Sequence, residues 1–282
     1  MENKLLLMTV HHKNDPFIEI SKKYFSPIQV GKELSNIDLG INSDNNGNNI
    51  STKNKTFCEL TACYSVWKNH NSEYIGLMHY RRIFTEKHFI VNKSLSKLKY
   101  YCKSIYYCID CKNPNHNYSN LIHIKNKKDT EKISNSFYAY LKTDLLNSDI
   151  YLPKKISFKY LNLEQQFMLN HNTDDWLLFK TLITENYPFL IESLEIISKS
   201  KSFYAYNMFI MKKDIFDKYM DILFDILFKM ETLVNLKNKT LYQARLFGFL
   251  SERFFNIYVH YLLKDKNIRL KELNTVFLDL ES

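Results

Sequence analysis

Residues 74–82 have the sequence YIGLMHYRR, in which a short apolar run ends abruptly in polar and charged residues. The run 74–78 predicts a buried strand, because it is short, apolar and without helical periodicity. Two adjacent guanidinium groups, those of Arg81 and Arg82, come shortly after it. Since a guanidinium is costly to remove from water, we expect this pair to face either solvent or an anion that neutralises it.

The segments that precede this strand alternate in type. Compact apolar runs predict strands at 5–10 and 27–31, and the polar stretch 35–56 predicts a loop. Apolar residues at helical spacing predict an amphipathic helix over 57–70. Strand, strand, loop, helix and strand in succession predict an α/β sheet with crossover connections.

The segments that follow the strand are more varied. Residues 85–147 are basic and rich in Tyr and Asn with weak periodicity, so we expect an inserted excursion of helices and loops there. The C-terminal third is expected to be helical. The remaining predicted elements are strands at 149–153 and 206–211, helices on either side of 186–188, and helices over 215–230 and about 241–263.

The composition is that of an ordinary globular protein, with 45% hydrophobic and 24% charged residues among 282. No apolar stretch is long enough to span a membrane, and the first ten residues lack the features of a signal peptide, so we expect a cytoplasmic protein. Five cysteines, an odd number, favour reduced thiols. The net charge of +9 suits an anionic partner such as nucleic acid, a phosphorylated small molecule or a lipid surface.

Several common motifs are absent from the sequence. With five glycines in the chain, neither a GxGxxG turn nor a P-loop can be written, which argues against dinucleotide-dependent redox chemistry and P-loop phosphotransfer. There is no GxSxG elbow and no HExxH helix. Cys108 and Cys111, with Cys102 and His116 nearby, could form a zinc site, but a single CxxC motif without a second pair favours free thiols.

The position of the basic quartet after the strand favours a functional interpretation. In open α/β sheets, ligands bind beyond the carboxyl ends of the strands, where His79, Tyr80, Arg81 and Arg82 are predicted to lie. Lys13 follows the first strand and would reach the same edge. Cations that converge there favour a phosphate site. The alternative is a basic turn in contact with solvent.

Eight segments spread over nearly the whole chain form a set: PIQVG at 27–31, NNISTKN at 48–54, CELT at 58–61, WKN at 67–69, IGLMHYRR at 75–82, HNTDDW at 171–176, NMFI at 207–210 and GFLSER at 248–253. This set resembles a bacterial family of glycosyltransferases of capsular polysaccharide, exopolysaccharide and lipopolysaccharide synthesis, long known only as a domain of unknown function. The stretch 49–82 carries most of the resemblance, and residues 85–147 carry least.

The resemblance implies an α/β fold of the GT-A type, a Rossmann-like nucleotide-sugar domain, with additional C-terminal helices. It also implies one glycosyltransferase domain over 1–282, with a variable insertion at about 85–147. Some members of the family are galactofuranosyltransferases, which makes UDP-galactofuranose a candidate donor.

Glycosyl transfer places negative charge on a departing diphosphate, and fixed positive groups must meet it. Many GT-A enzymes use a metal held by an Asp-x-Asp motif, whereas the strand end here carries the basic quartet and no acidic pair. We therefore expect no obligatory metal, with Mn²⁺ or Mg²⁺ left open through Asp44, Asp149 or Asp174. The expected donor and diphosphate contacts are His12, Lys13, His79, Tyr80, Arg81, Arg82, Glu59, Asn49 and Asn54. The two asparagines are equally suited to hydrogen bonds within turns. The expected acceptor contacts are Asn207 and Met208.

An inverting reaction would also need a base for the acceptor hydroxyl. His171, Asp174 and Asp175 stand at a predicted helix start, where a carboxylate is also a natural cap. Glu252 lies on a helix predicted to be buried and is the rival base. Its alternative role is an ion pair with Arg253 or with the quartet.

The leading hypothesis is a glycosyltransferase that carries a sugar from a nucleotide-sugar donor to a lipid-linked or oligosaccharide acceptor, docked peripherally at the anionic cytoplasmic face of the inner membrane. A sugar-phosphate transferase would use the same cations. A nucleic-acid-binding protein is the other alternative, but most of the positive charge is dispersed lysine and no recognition motif is present, so we expect no nucleic-acid partner.

Overall fold

A computed structural model describes residues 4–86, 122–237 and 239–280 of the chain. Its strands are β1 (Leu5–His11), β2 (Ser26–Gln29), β3 (Asn42–Ser43), β4 (Tyr74–His79), β5 (Arg82–Thr85), β6 (Ile122–Ile124), β7 (Ile150–Pro153), β8 (Ile156–Ser157), β9 (Ser202–Phe203), β10 (Phe209–Lys212) and β11 (Leu270–Leu278). Its α-helices are α1 (Ile18–Tyr24), α2 (Asn54–Phe57), α3 (Leu60–Asn69), α4 (Lys127–Asp144), α5 (Leu163–Asn170), α6 (Thr173–Asn186), α7 (Ile191–Lys199), α8 (Lys213–Leu233) and α9 (Leu246–Leu262).

The large sheet has a parallel part and an antiparallel part. Strands β3, β2, β1 and β4 are parallel neighbours in that order, and Val10 of β1 lies opposite both Ile28 of β2 and His79 of β4. Beyond β4, β10 pairs antiparallel to it and to β7, which is parallel to β11. The long strand β11 also pairs with β5 and β6, while β8 and β9 form a separate small ribbon.

Helices cover both faces of this sheet, which explains why its central strands β1 and β4 are mostly apolar. Alternate residues of a strand point to opposite faces. Leu5 and Leu7 of β1 belong to the core with α1 and α4, whereas Met8 and Val10 belong to the larger core with α3, α8 and α9. Both faces of β1 are therefore buried.

Gly76 allows β4 to pack closely in the middle of the sheet. A Cβ atom placed on Gly76 would lie 2.5 Å from Leu7 Cδ1 and 2.9 Å from Ile210 Cγ1. No side chain fits there without displacing its neighbours. The glycine within the apolar run is thus required by the close approach of β1 and β10.

The expected mixed α/β architecture is confirmed, with three differences in detail. The predicted helix 57–70 is broken by the left-handed backbone of Cys58 (φ 52°), and α3 begins after this break. The predicted loop 35–56 contains β3 and the start of α2. The expectation of a wholly helical C-terminal third was wrong, because residues 270–278 add the nine-residue strand β11 to the sheet.

Asp149, just before β7, forms ion pairs with Arg269, before β11, and with Lys212 at the end of β10. Its carboxylate accepts hydrogen bonds from the Arg269 backbone N–H at 2.8 Å and guanidinium at 2.9 Å, and pairs with Lys212 Nζ at 2.7 Å. The hydrogen bonds from Arg269, reinforced by Lys212, hold the pKa of Asp149 well below its usual range. Its oxygens are therefore occupied by protein cations.

We expect Asp149→Asn to lower the free energy of unfolding by about 1–3 kcal/mol at pH 7. The pKa of Asp149 is depressed in the folded state, so the carboxylate stabilises the fold above its unfolded pKa of about 3.9 and loses this effect as the pH falls through the folded pKa. Urea unfolding between pH 7 and pH 3 should show the two curves converging as the solution becomes acidic. Asp221→Asn, at an exposed carboxylate of α8, is the control; a difference between wild type and Asp149→Asn that does not vary with pH would contradict this explanation.

Candidate functional site

The quartet after β4 forms a tight hairpin at the carboxyl edge of the parallel strands. His79 pairs with Arg82 at the start of β5, so Tyr80 and Arg81 are the two residues of the turn. The Tyr80 N–H donates to the Val10 carbonyl of β1 at 3.2 Å, which fixes the turn against the neighbouring strand. The structure therefore brings the ends of β1 and β4 together, as sequence reasoning expects.

Basic side chains from both strand ends surround the Tyr80 ring. The His12 ring stands edge-on to it at 5.0 Å between centroids, Lys13 Nζ lies 6.0 Å from the ring centroid, and the Arg81 guanidinium lies 5.9 Å from it. His12, Lys13 and Arg81 are all exposed. Partial desolvation, followed by the charges of Lys13 and Arg245 among others, lowers the pKa of His12. This edge can therefore present several donors to an anion.

A buried histidine fixes the segment that carries these donors. The His11 ring is fully buried and its Nδ1 lies 2.7 Å from Asp15 Oδ2. Asp15 also accepts the Phe17 N–H at 3.0 Å, while His11 Nε2 lies 3.1 Å from Thr9 Oγ1. The loop that presents His12 is thereby held to the body of the sheet.

The two adjacent arginines have different surroundings. Arg81 is 46% exposed at its side chain and lies 4.0 Å from Asp279 Oδ1. Arg82 stacks over the Tyr206 ring at 4.4 Å and over the Phe277 ring at 5.2 Å. Within the described residues, the buried Arg82 Nε has no hydrogen-bond partner. Arg81 is thus the guanidinium that is open to a ligand, and Arg82 packs beneath the edge.

The segment before β10 forms the opposite wall of the site. Tyr206 and Asn207 both adopt left-handed backbone conformations, with φ of 75° and 51°. The Tyr206 carbonyl accepts from His79 Nε2 at 2.5 Å, and its N–H donates to Glu252 Oε1 at 2.6 Å. Asn207 Nδ2 donates to Glu59 Oε1 at 2.8 Å. Two consecutive non-glycine residues in this conformation are strained, and such strain is concentrated at functional sites.

A further cation, Arg245, reaches this edge from the start of α9. Its Nε donates to Cys58 Sγ at 3.3 Å, and its charge contributes to lowering the pKa of His12. Desolvation, then the charge of Glu59, raises the pKa of the Cys58 thiol to about 11. The neutral sulfur therefore accepts a hydrogen bond from the guanidinium near neutral pH. Arg245 was not predicted from the sequence. The signal that could have indicated it is the rarity of arginine, since the chain has five arginines among 39 basic residues.

Glu252 lies on α9 beside a cleft next to the cationic edge. Its Oε1 accepts from Tyr206, and its Oε2 accepts from Arg253 at 2.7 Å. Arg253 is 4% exposed at its side chain and Glu252 20%. The ion pair with Arg253, one of the two expected roles, is present, and the carboxylate still reaches the cleft. His171 lines the same cleft, and burial lowers its pKa to about 4.

The structure does not bring every predicted site residue to this edge. Asp175 is buried and pairs with Lys239 Nζ at 2.5 Å, and Asp174 is exposed in the first turn of α6. The cap of that helix is the Asn172 side chain, which accepts the Asp174 N–H, so the capping role expected of the aspartates belongs to Asn172. Met208, just before β10, is fully buried in a hydrophobic core and offers no surface to an acceptor.

The two loop asparagines make turn contacts. Asn49 Nδ2 donates to the carbonyls of Asn45 and Gly47, both at 3.0 Å, and its Oδ1 accepts the Ser51 N–H. Asn54 Nδ2 donates to the Cys58 carbonyl at 2.8 Å. These contacts correspond to the turn alternative for both residues.

The candidate metal ligands are engaged by protein donors. Asp44 is fully buried and accepts from the Gly31 N–H, Ser51 Oγ and Thr61 Oγ1 at 2.5–2.8 Å, while Asp149 binds Arg269. Among residues 4–86, 122–237 and 239–280, no three His, Cys, Asp or Glu side chains are grouped so that they could hold a metal ion. The cysteines and histidine of the alternative zinc site lie outside the described residues.

The structure is that of an α/β protein with a cation-rich edge where its parallel strands end, beside a cleft that contains a carboxylate. In open α/β sheets this edge is where ligands bind. The family model described as domain of unknown function DUF4422 matches residues 6–265. The chain belongs to this family, which confirms the family resemblance read from the sequence.

The chain is also similar to a solved structure, the apo form of WbbM, a bifunctional glycosyltransferase. The two share 28% sequence identity with a TM-score of 0.80. The match covers 98% of this chain and 45% of WbbM, so the chain spans less than half the length of that protein. A search of curated proteins found no match to the chain.

Within the part of the chain that the structure describes, no helix combines the length and apolar character needed to cross a bilayer.

Proposed function

We propose that the chain is a glycosyltransferase with a GT-A-like, Rossmann-type fold, and that it takes its sugar from a nucleotide-sugar donor. The observation that carries the proposal is the convergence of His12, Lys13, Arg81 and Arg245 where β1 and β4 end, in a chain similar to WbbM. Fixed cations at that edge would stabilise the charge that develops on a departing diphosphate.

The family resemblance favours a UDP-linked donor, such as UDP-galactofuranose, and an acceptor in capsular polysaccharide, exopolysaccharide or lipopolysaccharide synthesis. It also favours one domain over 1–282 with a variable insertion at about 85–147. The net charge of +9 supports a peripheral position on an anionic membrane surface.

Glu252 is the proposed base for the acceptor hydroxyl. Its carboxylate is held by the Tyr206 N–H and Arg253 and borders the cleft beside the cations, so it can accept a proton from a hydroxyl bound there. Asp174, Asp175 and His171 are the alternatives.

We expect Arg81→Gln and Arg245→Gln each to weaken binding of a nucleoside diphosphate by about 10- to 100-fold, because a charge-assisted hydrogen bond contributes about 1.5–3 kcal/mol. Titration calorimetry with UDP and GDP measures this directly. Lys218→Gln, which removes one exposed charge from α8, should leave the affinity unchanged. Steeply salt-dependent binding of DNA or RNA, with no nucleotide binding, would instead favour the nucleic-acid alternative.

We expect Glu252→Gln to lower kcat about 10²- to 10⁴-fold while the donor KM is retained, because the amide keeps the shape of the side chain and cannot take up the proton. The assay follows free UDP released with the transferred sugar, which also separates this enzyme from a sugar-phosphate transferase. Asp175→Asn is the matched variant. A large loss of kcat in Asp175→Asn, with Glu252→Gln near wild type, would transfer the role to Asp175.

We expect transfer to proceed without an obligatory metal, because the strand end that carries Asp-x-Asp in many GT-A enzymes carries the basic quartet here. Turnover should be unchanged in excess EDTA and unaffected by added Mn²⁺ or Mg²⁺. Loss of activity in EDTA with recovery on adding Mn²⁺ would contradict this expectation.

A further inference from the structure

The recess beside the cationic edge that contains Glu252 is lined by none of the four cations assigned to the diphosphate. It is a cleft of about 160 Å³ between α5, α9 and the segment that precedes β10. Its aromatic lining consists of Phe158, Phe203, Tyr206, Tyr242 and Phe249. Its polar lining consists of Gln166, His171, Glu252 and Arg253.

We infer that this cleft is the acceptor subsite and that it takes a single, uncharged sugar ring, the terminal residue of a growing glycan. The inference rests on the proposed function and adds the place and the chemical class of the acceptor. The volume is below the roughly 300–1,000 Å³ of pockets for drug-sized ligands, which fits one ring better than an extended chain.

The aromatic lining provides a stacking surface. Tyr242 is 54% exposed although its ring packs 5.1 Å from the Phe249 ring and 5.7 Å from the His171 ring, nearly parallel to the latter. An aromatic ring that stays exposed while it is held rigid on one side loses little entropy on binding a ligand. Tyr242 is therefore suited to cover the apolar face of a sugar.

The polar lining contains two acceptors for sugar hydroxyls. Gln243 Nε2 donates to the Asn170 carbonyl at 2.7 Å, so Gln243 Oε1 is the atom that faces His171 Nδ1 at 3.1 Å. The Nδ1 atom must then carry the proton, which leaves the lone pair on His171 Nε2. Since His171 and Glu252 line the same cleft, a sugar ring there can donate one hydroxyl to the imidazole and another to the carboxylate.

The charge balance of the cleft favours a neutral ligand. Its single cation, within the described lining, is Arg253, which already donates to Glu252 Oε2 and to Gln166 Oε1. A uronate or phosphate would place a second anion next to Glu252 without a cation left to neutralise it. The acidic ligand therefore belongs to the Tyr80 edge and the neutral one to this cleft.

The test uses the full chain with saturating UDP and measures binding of methyl glycosides by saturation-transfer NMR. We expect neutral methyl hexosides to bind, and the methyl glycoside of glucuronic acid to bind at least tenfold more weakly. Tyr242→Ala should weaken neutral-sugar binding at least tenfold. Tyr160→Ala, at a tyrosine that is 67% exposed and outside the described lining, should bind the sugar like the wild type.

Four results would overturn the inference. Three of them are sugar binding that survives Tyr242→Ala, equal binding of the glucuronide, and a neutral-sugar signal that is present without UDP and lost when UDP is added. Absence of sugar binding in a protein that binds UDP would also overturn it and leave the proposed function standing. Failure to bind any nucleoside diphosphate would instead defeat the proposed function.

Discussion

The backbone of Tyr206 is the constraint on which the geometry of the site depends. Its carbonyl is held by His79 at the end of β4, and its N–H is held by Glu252 on α9. Residues with strained backbone conformations cost about 1–3 kcal/mol each, and they persist only where the surroundings fix them. The two hydrogen bonds, together with the bonds from Asn207 to Glu59 and Ser251, fix them here. One strained segment thereby sets the position of the carboxylate relative to the cationic edge.

The distribution of arginine shows where fixed geometry is needed. The chain uses lysine for most of its positive charge, yet four of its five arginines, namely Arg81, Arg82, Arg245 and Arg253, lie at the edge or the cleft. A guanidinium is planar and presents several donors in a fixed arrangement, and it stacks on aromatic rings. Arg82 uses the stacking, whereas Arg253 uses the donors to hold Glu252. Lysine, a flexible point charge, provides neither the planar stacking surface nor donors in a fixed arrangement.

The sequence predicts the central strands and the cationic edge well, because both rest on local patterns. The run before His79 is apolar at every position, and the polar residues that follow it mark the strand end. The strand β11 was not predicted, because its residues are mostly half-buried and include Lys271 and Glu272. The alternation of apolar and polar residues along it is therefore weak. The helix break at Cys58 was not predicted, because no local sequence pattern indicates a φ of 52° at a non-glycine residue.

The part of the site that sequence patterns do not reveal is the part assembled by tertiary contacts. Arg245 and Tyr242 come from the start of α9 and the turn before it, more than 150 residues after β4 in the chain, and their roles depend on how α9 packs on α2 and α5. The position of Glu252 among apolar residues of its helix predicts a buried carboxylate that needs a partner, but it does not predict which residue is that partner.

Three buried polar atoms without a hydrogen-bond partner in the described part of the chain lie in the same region. Buried side-chain atoms are nearly always hydrogen-bonded, so each exception needs a reason. Among the described residues, seven side-chain atoms are buried without a partner. Asn207 Oδ1, Arg82 Nε and Arg253 Nε border the site, whereas the other four belong to Glu86, Ser134, Ser198 and Thr275. A sequence selected for stability alone would have removed such atoms, since an unpaired buried group costs about 1–3 kcal/mol. The three that border the site lie beside two strained residues, and this combination is typical of regions organised for function rather than for stability.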